Sequence, residues 1–178
     1  MREETLVIVK PDAYSRGLLG NILERFERRG LAVEQIRVSI SEIERIDAHY
    51  PTDEDWLTLV GSKTIEDYKS RGRDLVGELG TDHPLEIGRL VRSWLSDYLA
   101  SGPLVPMVLS GNRAIESVRA TIGSTLPITA APGTIRGDYS CDSADLASSE
   151  SRPVHNLVHA SGNQDEAARE IRLWFPDR

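Results

Sequence analysis

Cysteine is almost missing from this chain of 178 residues. Cys141 stands alone, which excludes an intramolecular disulfide and suits a reducing, cytoplasmic setting. Long apolar runs are missing too, so no segment is expected to cross a membrane. The opening MREETLVIVKPD has only a short apolar core and no small-residue cleavage site, unlike a secretory leader. An excess of basic charge is also lacking. The 28 acidic and 21 basic residues leave a net charge of −7, which disfavours nonspecific binding to nucleic acid or to an anionic membrane. A small anion is not excluded, because a few clustered cations outweigh distant charges at short range. No GxGxxG, CxxC or HExxH occurs. GSKT at 61–64 echoes the tail of a phosphate-binding loop, but it lacks the GxxxxGK spacing and a strand just before it.

What is present reads as one α/β domain. With 39% hydrophobic residues the chain can bury a core. TLVIVK (5–10), a continuous apolar run stopped by Pro11, predicts a central strand covered on both faces. Leu18, Leu19, Ile22, Leu23 and Phe26 recur at helical spacing up to Gly30. A second strand is predicted over 31–40, with Ile36, Val38 and Ile40 on one side, and a short helix capped by Ser41 follows. Residues 51–84 show only weak helical patches, and a clear amphipathic helix spans 85–102. A strand over 103–109 contains Pro106, which implies a position where the missing donor does no harm. A helix over 112–123 ends at Gly123. A long loop rich in Gly, Pro, Ser and Thr covers 124–153, and a loop of that length is usually functional. VHNLVH (154–159) predicts a last strand, and Asn163 with Glu166 a capping box on a last helix. All helices are expected to pack on one small sheet.

His159 is the residue most able to carry chemistry. Ala160 and Ser161 leave room beside its ring. Glu170 precedes the inward Ile171 on the flank of Ala167 and Trp174, so its carboxylate aims at protein. A carboxylate that accepts from one ring nitrogen leaves the other as a nucleophile, and Ser161 would steady that carboxylate. Lys10, Arg119, Thr125 and Arg136 stand at element ends; four donors, three of them cationic, suit a polyphosphate. His155 and His159 are four apart, but on a strand they would not face one metal.

The segments TLVIVKPDAYSRGLLGNILERFERRGL, AHY, SGPLVPMVL, SVRATIGSTLP, AAPGTIRGDYS, NLVHASG and EAAREIRLWF together resemble the nucleoside diphosphate kinase family nearly end to end. The resemblance implies a ferredoxin-like α/β sandwich (α+β) with a four-stranded antiparallel sheet. It also implies ping-pong transfer of a γ-phosphoryl group from a nucleoside triphosphate to a diphosphate. His159 would be transiently phosphorylated and oriented by Glu170 and Ser161. Lys10, Arg119, Thr125 and Arg136 would bind phosphates, Tyr50 would lie beside the lysine, and Asn156, with Lys10, would reach the sugar hydroxyl. Mg²⁺ would be held mainly by the phosphates, and the protein would be a cytoplasmic homo-oligomer, tetrameric or hexameric. A nucleotide-binding regulatory protein on the same scaffold, without turnover, is the alternative. An ordinary histidine, with a pKa of about 6.5, is mostly neutral and nucleophilic at cellular pH.

The sequence departs from the family pattern in places. Gly162 stands where Asp usually follows the histidine motif, and capping is expected to pass to Asn163. His155 replaces a frequent Arg. Two segments, about 51–100 and 139–153, read as insertions within a single domain spanning 1–178. The first falls where the family supplies a base-stacking side chain, for which Trp56 and Leu57 are the candidates.

Overall fold

A computed structural model describes residues 2–40 and 43–178. Four antiparallel strands form its sheet: β1 (Glu3–Val9), β2 (Ala32–Ile36), β3 (Val105–Gly111) and β4 (Val158–Ala160), in the order β2-β3-β1-β4. β1 is central and apolar because both its faces are covered. Val7 and Val9 join a core with Ile22, Phe26, Met107, Val118 and Leu157, while Leu6 and Ile8 join one with Ile46, Leu99, Val108 and Trp174. Helices therefore flank both faces, as a sheet buried on two sides requires.

The helices are α1 (Pro11–Ser15), α2 (Leu19–Arg28), α3 (Ile43–His49), α4 (Glu54–Ser70), α5 (Leu75–Leu79), α6 (Pro84–Ala100), α7 (Ala114–Ile122), α8 (Ile135–Tyr139), α9 (Ala144–Ser149) and α10 (Gln164–Trp174). The expected Ser41 cap lies outside the described residues. Residues 54–70, read as weak patches, are one continuous helix. It packs on α6 rather than on the sheet, so not every helix touches the strands. Gly61 and Gly88 allow the approach: a Cβ on the former would run into the carbonyl of Pro84, and one on the latter into that of Leu57. GSKT is thus the middle of a packed helix, which explains why its likeness to a phosphate loop is accidental.

Pro106 sits in an inner strand, contrary to the usual edge preference. Its carbonyl accepts from Arg37 N at 3.2 Å just past the end of β2, in the gap between the regular β2–β3 pairing and the isolated Ser39–Leu104 bridge, so the missing donor falls where the ladder is interrupted. The last strand is shorter than VHNLVH suggested. Only residues 158–160 pair with β1, and Leu157 carries a positive φ of 69° that breaks the extended run. The loop over 124–153 holds α8, α9 and a 3₁₀ turn at Pro127–Thr129 instead of being structureless.

Candidate active site

β4 aims His159. It pairs with Ile8, and directly opposed residues share a face, so the ring points to the side covered by α3 and α10. There Nε2 lies 3.0 and 3.1 Å from the two carboxylate oxygens of Glu170. A carboxylate accepts only, so this partner assigns the proton to Nε2 and leaves the lone pair on Nδ1. Ser161, fully buried, donates from Oγ to Glu170 Oε2 at 2.7 Å and accepts from Leu6 N at 3.3 Å. Glu170 is 2% exposed. Burial alone would raise its pKa, but the charge and hydrogen bond of His159, with smaller help from His49 and Ser161, hold it down at about 2. It is therefore an ionised brace on a ring whose own side chain remains 22% exposed.

The exposed side of the ring opens on a cleft of about 490 Å³. Lys10, at the end of β1, lies in its wall and donates to Asn156 Oδ1 at 2.8 Å. Burial, then the charge of Arg136, lowers its pKa to about 7, against a partial offset by Asp12. Asn156 ties this corner together by donating from Nδ2 to the Thr125 carbonyl at 3.1 Å. Arg136 is buried, and its pKa falls to about 10 through burial and then the charge of Arg119. Its Nε and Nη atoms donate to the carbonyls of Asn156, Gly123, Ser124 and Val158 at 2.7–3.1 Å. Four of the five guanidinium N–H groups are thereby used, so Arg136 shapes the cleft as well as charging it. Arg119 and Thr125 are exposed and line the rim, and Tyr50 lines the wall beside them. Burial, reinforced by Glu170, raises the pKa of Tyr50 and keeps its hydroxyl neutral.

All nine residues named from the sequence thus meet at one place: His159 and six others line the cleft, and Glu170 and Ser161 stand behind the ring. Asn163 caps α10 by accepting from Glu166 N at 2.9 Å, while Glu166 reaches back to the N–H of Gly162 rather than of Asn163, so the box is shifted by one residue. Trp56 and Leu57 do not line the cleft. They sit on α4, which faces α6, and Leu57 is buried in that contact. Leu95 on α6 lines the cleft instead, together with the apolar Ile122, Val158 and Ala160. Sequence reading missed Leu95, and also Tyr98, whose ring lies 5.0 Å from Lys10 Nζ and stacks on His155 at 4.8 Å. Both stand on the apolar stripe of α6, where their periodicity marked them only as core. His155 and His159 do point to different surroundings. His49 was also missed; it packs edge to face on His159 with ring centroids 4.4 Å apart.

Among the described residues the cleft wall offers cations, hydroxyls and an amide but no carboxylate, a donor set that fits phosphate oxygens rather than a metal cage. Behind it, His49, His159 and Glu170 bring potential ligand atoms within 4.8 Å of each other. Those atoms are already engaged, Glu170 with His159 and His49 Nδ1 with the indole of Trp174. A larger depression of about 1150 Å³ borders the first turns of α7 and α10, but its lining mixes acidic with basic side chains and does not include the histidine.

Comparison with known proteins returns one consistent family. The family model described as nucleoside diphosphate kinase matches residues 3–58 and 89–178. A nucleoside diphosphate kinase of Pyrobaculum aerophilum is 51% identical over 173 residues, covering 97% of this chain and 94% of the relative. One from Pyrococcus furiosus is 36% identical, with coverage of 97% and 83%. Among solved structures, an NDP kinase from Pyrobaculum aerophilum superposes with a TM-score of 0.96 at 49% identity, over 98% of this chain and 96% of that one. A Borrelia burgdorferi nucleoside-diphosphate kinase, a transition-state mimic with bound vanadate and ADP, superposes with a TM-score of 0.76 at 32% identity, over 98% and 87%.

Proposed function

The chain belongs to the nucleoside diphosphate kinase family, and from that premise we infer that it moves the γ-phosphoryl group of a nucleoside triphosphate to a nucleoside diphosphate through His159. The observation that carries this reading is the braced imidazole, with Nε2 held by Glu170 and Nδ1 left to the cationic cleft.

In the first half-reaction the Nδ1 lone pair attacks the γ-phosphorus. The bond to the β–γ bridging oxygen breaks, and the nucleoside diphosphate leaves with that electron pair. The Nε2 proton stays against Glu170, whose charge offsets the positive character the ring gains. The second half-reaction reverses these steps with another diphosphate. Catalysis of this kind rests on positioning and on cancelling charge on the phosphoryl oxygens. Lys10, Arg119 and Arg136 supply that charge, and Thr125 a hydroxyl. Asn156, locked to Lys10, is placed for a sugar hydroxyl, and the base would lie along Leu95. Magnesium bound through the phosphates would supply further charge neutralisation, which the cationic, hydroxyl and amide lining of the cleft favours over a protein-held ion.

The same reading extends to the rest of the protein. The break in the family match at 59–88 supports a single domain with an inserted helical segment; the second proposed insertion, 139–153, falls within the matched residues. Among the described residues no helix is long and apolar enough to cross a membrane, and we place the enzyme in the cytoplasm. Ile36, Val38, Ile40 and Ile43 are exposed along and beyond the open edge of β2, which supports a homo-oligomer, tetrameric or hexameric. The direct test is transfer from ATP to an unlike diphosphate. The wild type should show ping-pong kinetics and His159→Ala none, with its fold intact. Appreciable transfer by His159→Ala would overturn the mechanism, and binding without turnover in the wild type would favour a regulatory protein.

A further inference from the structure

Behind the histidine of the proposed mechanism, four hydrogen-bonding side chains compete for one carboxylate. Glu170 accepts from His159 Nε2 and Ser161 Oγ, and its Oε1 lies 3.5 Å from Arg169 Nη2 and 3.9 Å from His49 Nδ1. His49 is almost fully buried at the end of α3. It packs edge to face on His159, on Tyr50 at 5.0 Å and on Trp174 at 5.9 Å between ring centroids. A small tilt of this ring would bring Nδ1 within hydrogen-bond range of Glu170. If Nδ1 carried a proton, His49 would be a second imidazole donor drawn to the same carboxylate.

Trp174 prevents that. An indole N–H only donates, and here it donates to His49 Nδ1 at 3.2 Å. Nδ1 must then be an acceptor, and the His49 proton resides on Nε2. That Nε2 is buried and meets no hydrogen-bond partner among the described residues. An orphaned buried donor is costly, so packing alone does not explain a histidine here. The acceptor at Nδ1 does. Burial, and then the charge of His159, drives the pKa of His49 well below its ordinary value, so no second cation sits beside the reacting ring.

We infer that Trp174 and His49 are positioning residues that reserve Glu170 for the Nε2–H of His159 and thereby keep Nδ1 as the nucleophilic nitrogen. This rests on the phosphohistidine mechanism above. Neither residue lines the cleft, so neither is expected to touch substrate.

Two readouts test it in the full-length enzyme: imidazole ¹⁵N shifts, which report tautomers, and steady-state kinetics. Trp174→Phe removes the indole donor. His49 should then move toward its Nδ1–H tautomer and take a share of Glu170. kcat should fall roughly tenfold with KM for nucleotide nearly unchanged, the mark of a transition-state rather than a binding loss. His49→Asn, which keeps an acceptor near the Nδ1 position, should retain most activity. The double variant Trp174→Phe/His49→Leu removes the second imidazole altogether, so it should recover kcat relative to Trp174→Phe alone. A double variant slower than the single one, or a His49 tautomer unchanged in Trp174→Phe, would reduce the pair to packing and overturn the inference. Failure of the underlying mechanism would look different, because the wild type itself would then form no phosphohistidine.

Discussion

Binding of a nucleotide should draw a proton into the protein, and Lys10 is where it should go. Burial and the neighbouring Arg136 lower this lysine to a pKa of about 7 when the cleft holds only the protein's own groups. At pH 8 only about a tenth of the protein would then carry a charged Lys10, and at pH 7 about half. Phosphate oxygens placed against Nζ favour the ammonium and pull its pKa back toward the ordinary value near 10.4. Binding at pH 8 should therefore take up about 0.9 proton per site, falling to about 0.5 at pH 7. The phosphates themselves, with a last pKa near 6, are already ionised at pH 8 and contribute little. The sign follows: affinity weakens as pH rises above 7, by about 50-fold between pH 7 and pH 9 if Lys10 is the only linked group. Titration calorimetry of ADP binding in buffers of unlike protonation heat measures the uptake directly. Lys10→Met should bind more weakly and with no uptake. Wild-type binding without proton uptake at pH 8, or equal uptake in Lys10→Met, would refute the assignment.

Other consequences are more local. Glu170, held at about 2 in the folded chain against 4.5 for the free group, should contribute stability that is full above pH 4.5 and is lost as pH falls toward 2. Glu170→Gln should flatten that acid limb, worth on the order of 3 kcal/mol, in denaturation curves taken across the range. Glu170→Ala should slow phosphoryl transfer by about a hundredfold without abolishing it, since a loosened nucleophile remains a nucleophile; rapid-quench kinetics reads this. Gly61→Ala should destabilise the α4–α6 contact by about 1–3 kcal/mol, because the new methyl meets backbone that cannot rotate away; chemical denaturation measures it. Val38→Asp and Ile40→Asp, on the exposed apolar row beside β2, should shift the mass seen by sedimentation toward smaller species.

How much was legible in the letters depended on whether a signal was local. Continuous apolar runs marked β1 and β3, and 3.6-residue periodicity with end signals marked α2, α7 and α10. The site residues were legible because the motif strings carry them, and because Glu170 stands inside an inward helical flank. Long-range geometry was not legible. Nothing in VHNLVH announces that Leu157 turns to positive φ and leaves only three residues paired. The continuity of α4 was hidden because its charges are spread around the helix and its glycines look like breakers, although their role is close packing against α6. Leu95, rather than Trp56 or Leu57, reached the cleft because one side of the α6 stripe faces ligand space and periodicity does not distinguish that from core. His49 was hidden for another reason: its meaning arises only from contacts with Trp174 and His159, residues more than a hundred positions away.

The bond formed during the reaction offers the most direct test of the account. Protein exposed to ATP and Mg²⁺, quenched at alkaline pH and digested, should yield one acid-labile phosphopeptide containing His159, with the phosphoryl group on Nδ1 by NMR. Phosphate on Nε2 would contradict the bracing of that nitrogen by Glu170, and phosphate on any other residue would contradict the assignment of His159.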